Sequence, residues 1–426
     1  MSELTIAEKI LRAKADYDAV YEAGKNASGG GSNTRIKELL NGTITDVSDL
    51  QGLTAVRSGA YYSCNQLTNI EIPEGITYLG NNSFRSCRNL VGAVLPQSLN
   101  HIYGYSFYDC TSLEGIIIPD NVTQIDGYVF YGCSGLKSVT IGEGVTTFNK
   151  YIFYNCTALE EINFNAKNMS NCEASNYNYH YAGNNGNGIT LKIGKNVQKI
   201  PNNCFRNSSA TVAPNIIKIV FEDDSCCTSI GQYAFTYFNK VKHLEIPPSI
   251  TSFDNYAFSY IGTSKEIHIK DLAKWCRISR GNSDGIPNRS GDTLYLNGEL
   301  VSDLSELPES VTSIPNYCFR YFKNFANLVV PEHITSIGNY AFSDSSVLTS
   351  VEIGGNLTSI GSYAFANCSN CLIFDFSKCT AIPNLSGTTA FNGINANAQI
   401  KVPSALYSEW IAETNWANYA NYIVGV

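Results

Sequence analysis

The feature that most constrains this 426-residue chain is an aromatic residue that returns every 23 positions. Phe84, Phe107, Phe130 and Phe153 keep that spacing, and Tyr61 fills the same column one period earlier. It returns at Phe235 and Phe258 and at Phe319, Phe342 and Phe365, with Phe205 and Phe391 anchoring less regular units. A proline follows the anchor by 12 residues at Pro73, Pro96, Pro119, Pro247, Pro331 and Pro403. A unit this short cannot bury its own apolar side, so its neighbours must supply the core. Length alone would suggest about three domains. The period predicts one elongated stack of coils instead.

Within each unit, apolar residues recur at −5, +6, +9 and +11 from the anchor. The last two alternate, as in Ile116/Ile118, Val139/Ile141 and Val351/Ile353, which is the period of a half-buried strand. The proline or glycine that follows ends the strand, because proline has no N–H to donate. One strand per coil, with no helix-length segment between coils, predicts a right-handed solenoid, mostly β with irregular connections, carrying one parallel sheet.

The run Ile-Gly-x-Tyr-Ala-Phe-x-x-Cys-x-x-Leu-x-x-Ile-x-Ile-Pro resembles the BspA-like leucine-rich repeat family, most closely at 337–353 and 360–368. The resemblance covers most of 54–426 and implies a cell-surface or virion-associated binding or adhesion protein without enzymatic activity. Residues 165–188, with Tyr177-Asn178-Tyr179-His180-Tyr181, break the period and read as a surface loop. Residues 270–293 break it again with Asp271-Leu-Ala-Lys-Trp-Cys-Arg-Ile, a short helix with an acidic start. Similar Leu-x-x-Trp-Cys inserts occur in the family, which implies a packing role. Leu406 to Trp416 reads as an amphipathic helix capping the last coil.

The N-terminus differs in kind. Ile6, Ile10, Ala13, Tyr17 and Val20 form a heptad seam, followed by the flexible Ser28-Gly29-Gly30-Gly31-Ser32. So short a helix needs a partner, either the first coil or a second copy or larger assembly. Its opening residues are similar to those of phage-encoded repeat proteins. The expected organisation is a docking or oligomerisation helix over 1–25, a linker and cap over 26–53, a leucine-rich repeat solenoid over 54–404 and a C-terminal cap over 405–426.

Only 15% of residues are charged and the net charge is −8, so nothing draws the chain to nucleic-acid phosphates or an anionic membrane surface. No apolar run approaches the ~20 residues of a bilayer span, and residues 1–24 lack the apolar core of a signal peptide. A virion-associated or cytoplasmic location follows as the expectation. There is no HExxH, no GxSxG and no phosphate loop, and the five histidines are scattered. No catalytic residue, metal or cofactor is expected. Cys64, Cys87, Cys110, Cys133, Cys156 and Cys368 share the column three after the anchor, where Phe238 and Ser345 also stand. That is a packing slot for reduced thiols. Cys368-Ser-Asn-Cys371 is formally a CxxC, without the second ligand pair that zinc would need.

Tyrosine stands two before the anchor at 105, 128, 151, 233, 256, 317, 340 and 363. The predicted role is structural, a ladder of buried rings at the ~4.8 Å coil spacing. A second run, Tyr108, Tyr131 and Tyr154, directly follows the anchor and gives way to Arg85, Thr236, Ser259 and Arg320 elsewhere. That variability suggests exposure. With Tyr177, Tyr179 and Tyr181, the second run is the candidate contact surface for a protein or glycan. An intracellular protein-interaction scaffold is the alternative function.

Overall fold

The computed structural model describes residues 44–170, 182–207 and 214–426. The expected N-terminal helix and the Tyr177–Tyr181 segment lie outside the described residues. The chain divides into two compact units, Met1–Val197 with Asn207–Asn215, and Gln198–Arg206 with Ile216–Val426.

In the first unit the +9/+11 alternation becomes a wide parallel ladder. Asn69–Glu71, Gly92–Val94, Gly115–Ile117, Ser138–Ile141, Glu161–Phe164 and Ile189–Ile193 pair in that order. Val139 stands opposite both Ile116 and Ile162, so each inward residue meets its own column. The next step, Ile162 to Leu191, spans 29 residues where Val139 to Ile162 spans 23, and the register survives. Each coil also carries a second strand that the period of two did not reveal. Ala55–Val56, Tyr78–Leu79, His101–Ile102, Gln124–Ile125 and Thr147–Phe148 form a narrow parallel ladder. Two residues are too few to show alternation.

The core sits between the two ladders. Phe84, Phe107, Phe130 and Phe153 are fully buried, as are Leu79, Ile102 and Ile125 at −5 and Leu90, Leu113 and Leu136 at +6. Consecutive anchors stack nearly parallel, with ring centroids 5.4 Å apart for Phe84–Phe107, 5.5 Å for Phe107–Phe130 and 5.7 Å for Phe130–Phe153. The cysteine column has a specific chemical reason. Each thiol donates to the carbonyl of the anchor one coil earlier: Cys87 to Tyr61, Cys110 to Phe84, Cys133 to Phe107 and Cys156 to Phe130, at 3.0–3.1 Å.

The second unit repeats the plan. His243–Ile246, Glu266–Ile269 and Thr293–Leu296 pair in parallel, and Glu299–Leu300 closes that ladder as an antiparallel hairpin. Asn327–Val330, Ser350–Ile353, Ile373–Asp375 and Gln399–Val402 form a further ladder, to which the terminal strand Ile423–Gly425 adds. The insert does contain the expected helix, Leu272–Arg277, capped by the Asp271 side chain accepting from the Lys274 N–H. Its Trp275 is buried against Phe253 and Phe322 and donates to the Cys318 carbonyl. A buried Lys265–Asp292 ion pair ties the coil before the helix to the strand after it. At the C-terminus the helix Tyr407–Ala412 and the 3-10 turn Trp416–Tyr422 bury Trp410 and Trp416 against Phe376 and Phe391. The last coil's apolar face is thus covered.

Candidate functional site

The turn around each anchor decides which tyrosines reach the surface. Residues two before and two after the anchor take the left-handed conformation in coil after coil. Tyr105, Tyr128 and Tyr151 have φ of 60°, 65° and 62°, and Asp109 and Asn155 at +2 have 56° and 61°. Gly59, Asn82 and Asn203 hold the same −2 position with the same positive φ. The turn therefore demands a conformation that glycine and asparagine adopt readily and tyrosine rarely does. Something must offset that cost where tyrosine stands, and the ring contacts do so.

Tyr105, Tyr128 and Tyr151 stack at 4.8 and 5.0 Å. Beside them Tyr108, Tyr131 and Tyr154 form a second ladder at 4.9 and 4.7 Å, parallel within 6°. The two ladders touch in each coil, at 5.7 Å for Tyr105–Tyr108 and 5.9 Å for Tyr128–Tyr131. Arg85 lies over the outer face of Tyr108 at 4.5 Å and reaches Tyr105 and Tyr62 at 5.6 and 5.7 Å. All six rings are partly exposed. The −2 ladder thus forms as expected, but its rings are not buried. Partial burial, with Asp109 and the neighbouring phenols, pushes the hydroxyls of Tyr108 and Tyr131 upward, so both stay protonated donors at neutral pH.

Variability at +1 proves a poor guide to exposure. Thr236, Ser259 and Ser343 in that column of the second unit are buried, because a short side chain there does not reach the surface. There the exposed aromatic moves to +2, where Tyr237 and Tyr260 stack at 4.7 Å and Tyr260 is 66% exposed. The −2 ladder recurs as Tyr233–Tyr256 under Arg206, and as Tyr317–Tyr340–Tyr363 with Arg320 over Tyr340. An arginine beside the stacked tyrosines is a recurring device.

The thiols of the cysteine column and of Cys371 are buried. Burial pushes Cys371 up to about 12, and Cys368 rises for the same reason, so neither half of the CxxC favours the thiolate that redox or metal chemistry uses. Two groupings escaped the sequence reading. Cys276 and Cys318 place their sulfurs 3.8 Å apart in the core, 42 residues apart in sequence. His243 and His268 meet on adjacent strands of the wide sheet, their rings stacked at 4.3 Å. The signal was present in the columns, since one stands at anchor +8 and the other at +10, two positions of one sheet face.

The repeat region matches the family described as BspA type leucine rich repeat region, in six copies, over residues 54–182, 180–275 and 299–408. The chain belongs to this family. Repeats of this kind are generally binding scaffolds rather than enzymes. Among solved structures, a leucine-rich repeat protein from Bacteroides ovatus is 19% identical over 87% of each chain, with a TM-score of 0.49. A leucine rich cell surface protein from Faecalibacterium prausnitzii is 18% identical, covering 87% of this chain and 88% of its own, with a TM-score of 0.29. No curated protein matches the chain.

Proposed function

We propose that this member of the BspA type repeat family is a non-enzymatic adhesion protein that grips a protein partner through the paired tyrosine ladders of its first unit. The observation that carries the reading is the Tyr108–Tyr131–Tyr154 stack, partly exposed and parallel within 6°. Stacking covers the ring faces. Tyr131 has a ring on each side, and Arg85 covers the outer face of Tyr108. A sugar that binds by laying its ring on an aromatic face finds little face here. What the ladders offer is a row of ring edges and hydroxyls, regularly spaced, which suits polypeptide. The rings are held in place before contact, so little rotamer entropy is lost on binding. Display on a virion or cell envelope through the 1–25 heptad segment accompanies this reading. An intracellular scaffold and a glycan adhesin are the competing outcomes.

The test incubates the full chain with cell-surface extracts and with cytosolic extracts, each untreated, protease-treated or periodate-treated. The proposal expects capture from the surface fraction, lost after protease and kept after periodate. A folded Tyr108→Ser/Tyr131→Ser/Tyr154→Ser variant should bind at least tenfold more weakly, since a tyrosine hot spot is worth about 2 kcal/mol or more. Equal binding by the variant overturns the tyrosine assignment. Loss after periodate favours glycan, and capture only from cytosol favours the scaffold.

A further inference from the structure

We propose that His243, Glu266 and His268, on the outward face of the second unit's wide sheet, form a binding site for a divalent transition-metal ion of the zinc class. The site is built by register. His243 stands directly opposite Glu266, and Glu245 directly opposite His268, on neighbouring parallel strands. Their inward neighbours Leu244, Ile246, Ile267 and Ile269 are buried in the core, so strand alternation sends all four polar side chains outward together. One ligand atom from each of His243, Glu266 and His268 lies within 4.8 Å of the others.

The separations fit a metal polyhedron. Zinc held at 2.0–2.1 Å in tetrahedral geometry places its ligand atoms about 3.3 Å apart. His268 Nε2 and Glu266 Oε2 are 3.2 Å apart, and His243 Nδ1 and Glu266 Oε2 are 3.8 Å apart. Closing the set therefore asks for only small side-chain movements.

The surroundings orient the ligands. His243 Nε2 lies 3.2 Å from Glu245 Oε1. With the proton on Nε2 and donated to that carboxylate, Nδ1 carries its lone pair toward Glu266, the arrangement by which a carboxylate fixes the tautomer of a metal-bound histidine. The two imidazoles stack at 4.3 Å, and Tyr295 stacks on His268 at 4.8 Å, holding both rings upright from the sheet. Glu245 and Glu266 bring two carboxylates; the cations near them are Lys218, which stands opposite His243 in the neighbouring strand Ile216–Phe221, and Lys270, which acts on Glu245 but is itself paired with Asp223. A cation is electrostatically acceptable there.

The donor set is two imidazoles and a carboxylate, which suits zinc, copper or nickel over calcium or magnesium. His243 is 23% exposed, His268 24% and Glu266 52%, so a bound ion keeps an open position for water or for a side chain of a partner. The bland alternative is a set of ordinary His–Glu hydrogen bonds that never takes a metal, and the experiment separates the two.

Full-length protein in a Cys226→Ser background, which removes the exposed thiol among the described residues, is treated with chelator, exchanged into buffer and titrated calorimetrically with zinc alone. Cobalt then reports the ligand type by its visible spectrum. The proposal expects one zinc per chain, a cobalt spectrum without thiolate charge transfer, and affinity at least tenfold weaker in His243→Gln, His268→Gln and Glu266→Gln. Glu245→Gln should weaken it by about tenfold through the oriented histidine. Absence of zinc binding overturns the site. So does zinc binding that persists unchanged in all three ligand variants, provided circular dichroism shows them folded.

Discussion

Tyr128 allows a test in which two simple substitutions should reverse their usual order. Its backbone is left-handed at φ 65°, and its ring stacks on Tyr105 at 4.8 Å and on Tyr151 at 5.0 Å. Removing the ring costs about 2 kcal/mol, at roughly 0.5–1.5 kcal/mol per aromatic contact. Alanine loses the ring and keeps the strained backbone, so Tyr128→Ala should cost about 2 kcal/mol. Glycine also loses the ring but escapes the left-handed penalty of about 1–2 kcal/mol, while giving back about 0.5–1 kcal/mol in chain entropy. Tyr128→Gly should therefore cost only about 1 kcal/mol. The assay is urea denaturation followed by far-UV circular dichroism. With a slope of about 2–3 kcal/mol per molar, glycine's midpoint should stand about 0.3–0.5 M above alanine's. Thr140 on the wide sheet is the control, where alanine should be better tolerated than glycine. An alanine midpoint at or above that of glycine at Tyr128 would refute the argument that the turn, rather than the ring, sets the strain.

Phe130, fully buried between Phe107 and Phe153, should lose about 3–5 kcal/mol on truncation to alanine, read by the same denaturation; a loss under about 1 kcal/mol would contradict a stacked core. Among the described thiols Cys226 is exposed and the rest are buried, with Cys227 pushed up to about 12 and Cys379 to about 11. Alkylation of the native protein at pH 8 should therefore modify Cys226 first, and rapid labelling of Cys110 or Cys133 would count against the packing of the column. Ser345 occupies that cysteine column, but its buried hydroxyl has no partner. The longer thiol of Ser345→Cys should reach the preceding anchor carbonyl and raise stability by about 1 kcal/mol; an unchanged or lower midpoint would deny that the column exists for this bond.

The 23-residue columns were legible because stacking makes every coil answer to the same geometry. Phe107, Leu113 and Ile116 keep their places for the same reason that Phe130, Leu136 and Val139 do. The helix at Asp271 and the C-terminal cap were legible from local signals, an acidic cap and an amphipathic run. The narrow ladder was not, because strands of two residues such as Gln124–Ile125 leave no alternation to read. The left-handed turn at −2 was hidden by the very tyrosines that tolerate it, although Gly59, Asn82 and Asn203 in that column were a clue. Stacking of Tyr108, Tyr131 and Tyr154 followed from their shared column, whereas the role of Arg85 needed coordinates, since an arginine replacing a tyrosine reads as loss rather than as a lid. His243 and His268 differ by two in column, so only the sheet register brings them into contact with Glu266.

The tyrosine surface exists in solution only if rings 23 residues apart in sequence stand face to face. Brief photo-oxidation of the folded protein joins phenols in contact as dityrosine, and peptide mass spectrometry maps each junction. Ring separations of 4.9 Å for Tyr108–Tyr131, 4.7 Å for Tyr131–Tyr154 and 4.8 Å for Tyr105–Tyr128 predict those three pairs as the leading products from the first unit, all abolished in urea. Junctions scattered among tyrosines in unrelated columns, or none at these three pairs, would contradict that stacking.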